Sequence, residues 1–358
     1  MAPTSSVTLL PVRRPTTASN PPSNHPSFDN SHGLSTILKA RFSPSRNFVP
    51  IPSTRDELVQ VCKPDFGASV LGGLKATWIG HASFLVETST LLSNKAGPYR
   101  MVGPTRFLPT PCSLQDLPEI DVVLISHDHH YYLDSNTIKK IHAKSKGHVR
   151  FFCGLGVKMC LLGLGVGLKP EEVMELDWWD GVQLSVEGVS SVNLVCTPAQ
   201  HRSGRAGWNF QVTLWCSWVI EKIPNGVEGL QLADASSTSS DTNVYVRDMY
   251  IIDNFVGGTA YCAVAKDEEP SHLNSSVPPC PAFAEIGDLY GSFDLALLPI
   301  SCYSSRSFIS SVHSSPENSI SCTKTSVPPK RWKKACEEQG LTWGEDIGVC
   351  DIGETVAV

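Results

Sequence analysis

The sequence predicts an α/β or α+β sandwich, in which short strands and interspersed helices enclose one core. Apolar segments of strand length recur along the chain with glycine-bearing loops between them, and one later segment has the spacing and the capping residue of a helix. The 358 residues are 41% hydrophobic and 18% charged. A chain of this length and composition can bury a sizeable core.

The beginning of the chain differs from the rest. Residues 1–70 are rich in Pro, Ser and Asn and lack sustained periodicity, which predicts a disordered tail and an extended arm. The folded domain is therefore expected to occupy residues 71–358.

The predicted strands share runs of β-branched, aromatic and other apolar residues bounded by turn residues. In chain order they lie at 74–87, 122–125, 192–196, 212–220, 249–252 and 295–300, with a turn and a short strand at 351–356. A helix is predicted over 134–144, with Asp134 or Ser135 as its cap and with Ile138 and Ile141 on one face.

Charge and cysteine usage restrict the class of protein. The formal net charge of -6 gives no general case for a nucleic-acid partner. The 12 cysteines run from Cys62 to Cys350 without a CxxC pair, and no apolar secretory leader is evident. We therefore expect reduced thiols and a cytoplasmic location. The longest apolar stretch, at 160–168, is too short and too rich in glycine to span a bilayer.

Candidate metal ligands follow two of the predicted strands. The run SHDHHYYLD at 126–134 comes directly after the apolar strand 122–125. Two histidines at i and i+2 on a rigid strand end, here His127 and His129, can converge on one ion. The segment TPAQH ends at His201, just after the strand 192–196, and could supply a third ligand. Alternatively, all three are ordinary loop histidines.

These segments, together with TWIGHASF at 77–84, LDWWD at 176–180 and LLPI at 297–300, resemble the metallo-β-lactamase fold superfamily. They are most similar to its N-acyl-phosphatidylethanolamine-hydrolysing phospholipase D group and the fungal relatives of that group. The resemblance implies a four-layer αββα sandwich with a dinuclear zinc site at the edge between its two sheets. It also implies a zinc-dependent phosphodiesterase that converts N-acyl-phosphatidylethanolamine to N-acylethanolamine and phosphatidic acid. A phospholipid substrate and peripheral membrane contact belong to the same expectation.

The resemblance assigns His127, His129 and His201 to one zinc ion. Three histidines and a water form a known catalytic zinc arrangement, in which the pKa of the water falls to about 7. A metal-bound water is therefore the expected nucleophile, and no side chain is assigned to that role. Asp128, between the first two ligands, is expected to point away from the metal. Trp178 and Trp179 of the LDWWD segment are expected to pack in the core.

The ligands of the second metal are missing. Tyr131 and Tyr132 stand where the family has Asp and His, and Gly258 stands where it has the bridging Asp. Residues 318–327 are too few for the family segment and lack its last His, and another gap follows Arg100. A phenol has a pKa of about 10 and would have to ionise to bind a metal well. The chain is therefore expected to bind one zinc ion instead of two and to have impaired activity.

Three explanations stay open at this point. The chain is an enzyme of phospholipase D type with weakened chemistry, or a non-catalytic zinc- or lipid-binding descendant of such an enzyme. Alternatively, it is the product of an imperfect gene model, because both apparent deletions shorten the sandwich and fall on segments of the site. The sequence leaves the acyl-chain specificity and the oligomeric state undetermined.

Overall fold

The architecture was established from a computed structural model. The structure describes residues 5–10, 59–66, 75–80, 83–86, 108–129, 133–186, 190–199, 201, 203–204, 212–223, 249–252, 281–290, 293, 295–297, 342 and 350–357. The predictions at Tyr131, Tyr132 and Gly258 lie outside these residues. So do both apparent deletions, which leaves the expected incompleteness of the sandwich a prediction.

The described elements are mostly strands, with helices between some of them. The strands are β1 Ser5–Leu9, β2 Lys75–Gly80, β3 Ser83–Leu85, β4 Val122–Ile125, β5 Arg150–Gly154, β6 Val173–Leu176, β7 Gly181–Val186, β8 Ser190–Pro198, β9 Cys216–Ile223, β10 Met249–Ile252, β11 Leu295–Leu297 and β12 Thr355–Ala357. The helices are α1 Ser135–Lys144, α2 Val157–Gly163 and α3 Pro281–Tyr290, with a 3-10 turn at Pro170–Glu172.

Three sheets are formed by these strands. The largest has six strands in the order β1-β7-β8-β9-β10-β11, and its neighbours are antiparallel except for the parallel pair β10 and β11. The second sheet, β4-β5-β6, is parallel throughout. The third, β12-β2-β3, is antiparallel and shares a small apolar cluster with β11.

The parallel sheet is covered on both faces, as all-parallel sheets require. On one face, Val123 and Phe151 share a buried cluster with Ile138 of α1. On the other face, Phe152 shares a second cluster with Trp218 of the six-stranded sheet. Alternate residues of each strand therefore serve the two cores, as the period of two demands.

Helix α3 completes the layers. It lies against β8, and its Ala282, Ile286 and Tyr290 belong to the same core as the six-stranded sheet. Helices α1 and α2 pack on the outer face of the parallel sheet. The described elements thus agree with the predicted αββα sandwich. None of the helices in the described part of the chain has the length and apolar character needed to cross a membrane.

The predicted helix over 134–144 is confirmed, including its cap. The Asp134 side chain accepts hydrogen bonds from the backbone N–H of Thr137 at 2.9 Å and from the Thr137 hydroxyl at 2.6 Å. A carboxylate at this position satisfies one of the N–H groups that the first turn leaves unpaired and interacts favourably with the helix dipole. Ile138 and Ile141 are buried on one face, as predicted.

The structure differs from the prediction near the N-terminus. Ser5–Leu9, placed by the sequence in the tail, forms β1 and pairs antiparallel with β7 over five residues. Farther along, the Cys62 backbone N–H donates to the Ile352 carbonyl at 2.8 Å, next to a bridge between Val61 and Ile352. Sheet-edge pairing with distant strands fixes these segments, although their composition is that of a tail. The domain boundary at residue 70 stays a prediction.

Candidate metal site

The three predicted ligands converge in the structure. His127 and His129 follow the end of β4, and His201 follows the end of β8, so the two strands carry the ligands to one place. One ring nitrogen from each histidine lies within 4.8 Å of those of the other two. The ring centroids of His127 are 4.5 Å from those of both His129 and His201. We call His127, His129 and His201 the histidine triad.

The triad has the donor chemistry and spacing of a metal site. At a metal–nitrogen distance of about 2.0–2.1 Å, two tetrahedral ligand nitrogens lie about 3.4 Å apart. Nε2 of His127 and Nδ1 of His129 face each other at 2.9 Å, which small ring movements would bring to that spacing. His127 and His201 are 1% and 2% exposed, so water has little access to these side chains. The group could hold a metal ion.

Ser126 orients the first histidine. Its hydroxyl lies 2.9 Å from Nδ1 of His127, on the side of the ring opposite Nε2. When Nε2 presents its lone pair to a metal, the ring proton resides on Nδ1 and donates to the Ser126 oxygen. This bond fixes both the tautomer and the ring plane, the function that outer partners serve at metal sites.

Asp128 is buried rather than solvated. It is 0% exposed, and its Oδ1 accepts a hydrogen bond from the backbone N–H of Gly204 at 2.7 Å across 76 residues of sequence. The side chain is thus engaged with the loop that follows His201. Sequence reasoning treated Asp128 as a variable residue between two ligands and missed this contact, because nothing local signals a partner so far along the chain.

Residues 213–216, which are the loop before β9 and the first residue of that strand, link the two ligand-bearing segments; we call them the bracing segment. The Cys216 backbone N–H donates to the Ser126 carbonyl at 2.9 Å. The Trp215 indole N–H donates to the Ala199 carbonyl at 2.9 Å, two residues before His201. The Ser203 hydroxyl donates to the Thr213 carbonyl at 2.6 Å, just after His201. One short loop therefore holds both sides of the triad.

The bracing segment was predicted as part of a strand over 212–220, and this was wrong for its first residues. The strand begins at Cys216. Before that point the backbone is bonded elsewhere: the Leu214 N–H donates to the Leu155 carbonyl at 2.8 Å, and the Trp215 carbonyl accepts from the Trp178 indole at 2.8 Å. Apolar composition alone does not distinguish a buried loop of this kind from a strand.

The LDWWD segment packs as predicted. Trp178 and Trp179 are 6% and 7% exposed and belong to the main core. Trp179 has a positive φ of 74°, which is uncommon for a bulky residue, and its N–H donates to the Cys196 carbonyl at 2.7 Å. The contact between Trp178 and Trp215 makes this segment a support for the bracing segment.

The buried cysteines below the site are neutral. Burial raises the pKa of the Cys153 and Cys196 thiols well above the usual range, and the neighbouring groups Glu175 and Cys216 act in the same direction. A protonated thiol is a poor metal ligand, so these side chains act as small apolar groups. None of the seven cysteines within the described residues forms a disulfide, as expected from the sequence.

The positions of the second-metal ligands cannot be compared with this geometry. Tyr131, Tyr132 and Gly258 lie outside the described residues. Their meaning therefore rests on their chemistry: two neutral phenols and a residue without a side chain. His201, His127 and His129 were predicted together and are found together.

Comparison with known proteins supports the fold. Residues 85–242 match the family model described as the beta-lactamase superfamily domain. The matched span of that domain contains the whole histidine triad, and the predicted resemblance to the superfamily is confirmed.

The similar proteins include named phospholipases. The chain is 28% identical over 280 residues, 76% of its length, to N-acyl-phosphatidylethanolamine-hydrolyzing phospholipase D 1 of Caenorhabditis elegans. It is 29% identical over 290 residues, 79% of its length, to an uncharacterized protein of Mycobacterium tuberculosis. It is 26% identical over 153 residues, 43% of its length, to a mitochondrial N-acyl-phosphatidylethanolamine-hydrolyzing phospholipase D of Saccharomyces cerevisiae. The matches span 64%, 61% and 29% of these relatives, less than two thirds of each.

Proposed function

We propose that this chain is a metal-dependent phosphodiesterase of phospholipase D type that uses one zinc ion held by the histidine triad. The observation that carries the proposal is the convergence of His127, His129 and His201, with one nitrogen from each within 4.8 Å of the others. Two of these side chains are buried, and imidazole nitrogens suit zinc. The similarity to two named phospholipases directs the choice of reaction.

The mechanism divides between the ion and the protein. When bound, zinc supplies a Lewis acid that lowers the pKa of a coordinated water and polarises a phosphoryl oxygen. The protein holds the three nitrogens in place: Ser126 fixes the ring of His127, and the bracing segment fixes the loops on both sides. Rigid ligands are required because small misplacements at a reacting centre cost large factors in rate.

The substrate is proposed by analogy with the printed names of the relatives. Hydrolysis of N-acyl-phosphatidylethanolamine adds water across the phosphodiester and leaves phosphatidic acid and an N-acylethanolamine. A phosphodiester with three acyl chains also calls for an apolar approach to the site. Leu155, Met159 and Val212 are 44%, 72% and 70% exposed, and Leu155 is joined to the bracing segment through Leu214. This apolar surface supports peripheral contact with a phospholipid membrane.

Impaired turnover is part of the proposal. In a two-metal site both ions clamp the reacting oxygens, and Tyr131, Tyr132 and Gly258 cannot replace the Asp and His ligands of the second ion. A non-catalytic zinc- or lipid-binding protein is the second candidate, and the same three residues favour it.

Metal analysis together with two substrate assays tests the proposal. The purified chain is expected to retain one zinc per chain, to hydrolyse bis(p-nitrophenyl) phosphate slowly, and to release N-acylethanolamine from N-acyl-phosphatidylethanolamine vesicles. His201→Ala should lose both zinc and activity. His142→Ala is the matched control and should lose neither. His142 lies on α1, away from the triad, and its Nε2 is 3.1 Å from a carboxylate oxygen of Glu172. Zinc binding without any hydrolysis would select the second candidate. Failure to bind any metal would refute the proposed enzyme and the zinc-binding form of the second candidate.

A further inference from the structure

We propose that Asp128 is a positioning residue that sets the spacing of the histidine triad through its bond to Gly204. The inference rests on the proposed metal site and adds a residue that the site itself does not require as a ligand. Asp128 lies between the ligands His127 and His129, and its partner Gly204 follows the ligand His201 by three residues. One hydrogen bond of 2.7 Å therefore joins the two ligand-bearing loops next to the place where their ligands meet.

Burial makes this bond strong. A carboxylate that is 0% exposed has lost its hydration, a cost that must be offset by hydrogen bonds from the protein. The distance of 2.7 Å is at the short end of the range for an N–H···O hydrogen bond. Separation of the two loops would break this bond, so the bond resists any drift in the ligand spacing.

The partner residue is built for this contact. Gly204 has a φ of +136°, a conformation that residues with a side chain rarely adopt. The preceding residue, Ser203, is anchored on the other side by its bond to the Thr213 carbonyl. The loop after His201 is thus held from two directions, by the bracing segment at Ser203 and by Asp128 at Gly204.

The expected loss of zinc affinity can be judged from groups that hold the ligands in place at other metal sites. Removal of one such partner lowers metal affinity by about 10–100-fold. We expect Asp128→Ala to weaken zinc affinity by this factor. Asp128→Asn keeps an oxygen acceptor for Gly204 while removing the charge, so it should recover at least about half of the loss on a logarithmic scale. A role based on the negative charge alone would make Asn as damaging as Ala.

The control variant breaks a buried hydrogen bond elsewhere in the six-stranded sheet, which contains β8. The Asn193 side chain donates to the Glu221 carboxylate at 2.8 Å. Asn193 lies on β8, about 17 Å from the end of the strand that leads to His201, at ~3.4 Å per residue. Asn193→Ala should destabilise the fold without changing zinc affinity. Gly204→Ala tests the bond from the other side and is expected to weaken zinc binding about tenfold while the carboxylate remains.

Zinc affinity is measured by competition with a chromophoric chelator, beside thermal melts of the metal-free proteins and the visible absorption spectrum of bound Co²⁺. The expected result is weaker zinc binding and an altered Co²⁺ spectrum for Asp128→Ala and Gly204→Ala, partial recovery for Asp128→Asn, and no change for Asn193→Ala. Equal zinc affinity of the parent chain and Gly204→Ala would overturn the inference, even if Asp128→Ala did not fold. A zinc affinity of Asp128→Asn as low as that of Asp128→Ala would also overturn it. A parent chain that binds no metal refutes the proposed function first.

Discussion

Trp215 offers a stringent test of the bracing segment. Trp215→Phe keeps an aromatic ring but removes the indole N–H that donates to the Ala199 carbonyl at 2.9 Å. Ala199 is 2% exposed and Trp215 is 7% exposed, so water cannot easily replace the lost donor. A buried acceptor left without its partner costs about 1–3 kcal/mol. Because Ala199 lies two residues before His201, the loop that carries this ligand should also loosen.

The assay is urea unfolding with and without zinc. With a dependence on urea of about 3 kcal/mol per M, the expected loss lowers the unfolding midpoint by about 0.3–1 M. The stabilisation produced by zinc should also shrink, because a ligand stabilises the native state according to its affinity. The matched control is Trp78→Phe, since Trp78 stacks on Phe84 at 6.3 Å between ring centroids, in the separate β12-β2-β3 sheet. If the two variants lost equal stability and equal zinc response, the bracing role of Trp215 would be wrong.

Three further predictions concern the tautomer, the helix cap and a thiol. Ser126→Ala should weaken zinc binding about tenfold, measured by chelator competition, because the proton on Nδ1 of His127 loses its acceptor; an unchanged affinity would contradict this. Asp134→Ala should lower the free energy of unfolding by about 0.5–2 kcal/mol while one zinc is still bound, measured by urea unfolding and metal analysis. Burial, assisted by Glu354 and Asp351, raises the pKa of the Cys350 thiol to about 11. The thiolate forms only as pH rises towards that value, so alkylation of Cys350 followed by mass spectrometry should be slow near neutral pH and should accelerate up to about pH 11.

The histidine triad could be predicted because its signals are local. His127 and His129 stand directly after a buried strand, and His201 stands after another. These positions made the three histidines candidates, and the resemblance to the superfamily assigned them to one ion. The helix cap at Asp134 was predictable for the same reason, since cap and first turn are neighbours in sequence.

Several elements of the sandwich could not be predicted from local patterns. Helix α2 lies in a stretch whose glycines at 163, 165 and 167 obscure its periodicity. Strands β5 and β6 are short and buried on both faces, so they lack the alternation that marks a half-exposed strand. Their assignment depends on the parallel partners that flank them.

The supports of the site are tertiary, and the sequence gives no sign of them. Asp128 and Gly204 are separated by 76 residues, and Cys216 and Ser126 meet only because two sheets pack together. The bracing segment resembles a strand in composition, and only its hydrogen-bond partners show that it is a loop. What local patterns provide is the set of ligands; what the fold provides is their spacing.

The number of metal ions per chain tests the central claim most directly. Inductively coupled plasma mass spectrometry of the purified, zinc-loaded chain, after removal of weakly bound metal, should give one zinc per chain, and the same measurement on His201→Ala should give essentially none. Two tightly bound ions per chain would contradict the single-metal account. Retention of zinc by His201→Ala would contradict the assignment of the histidine triad.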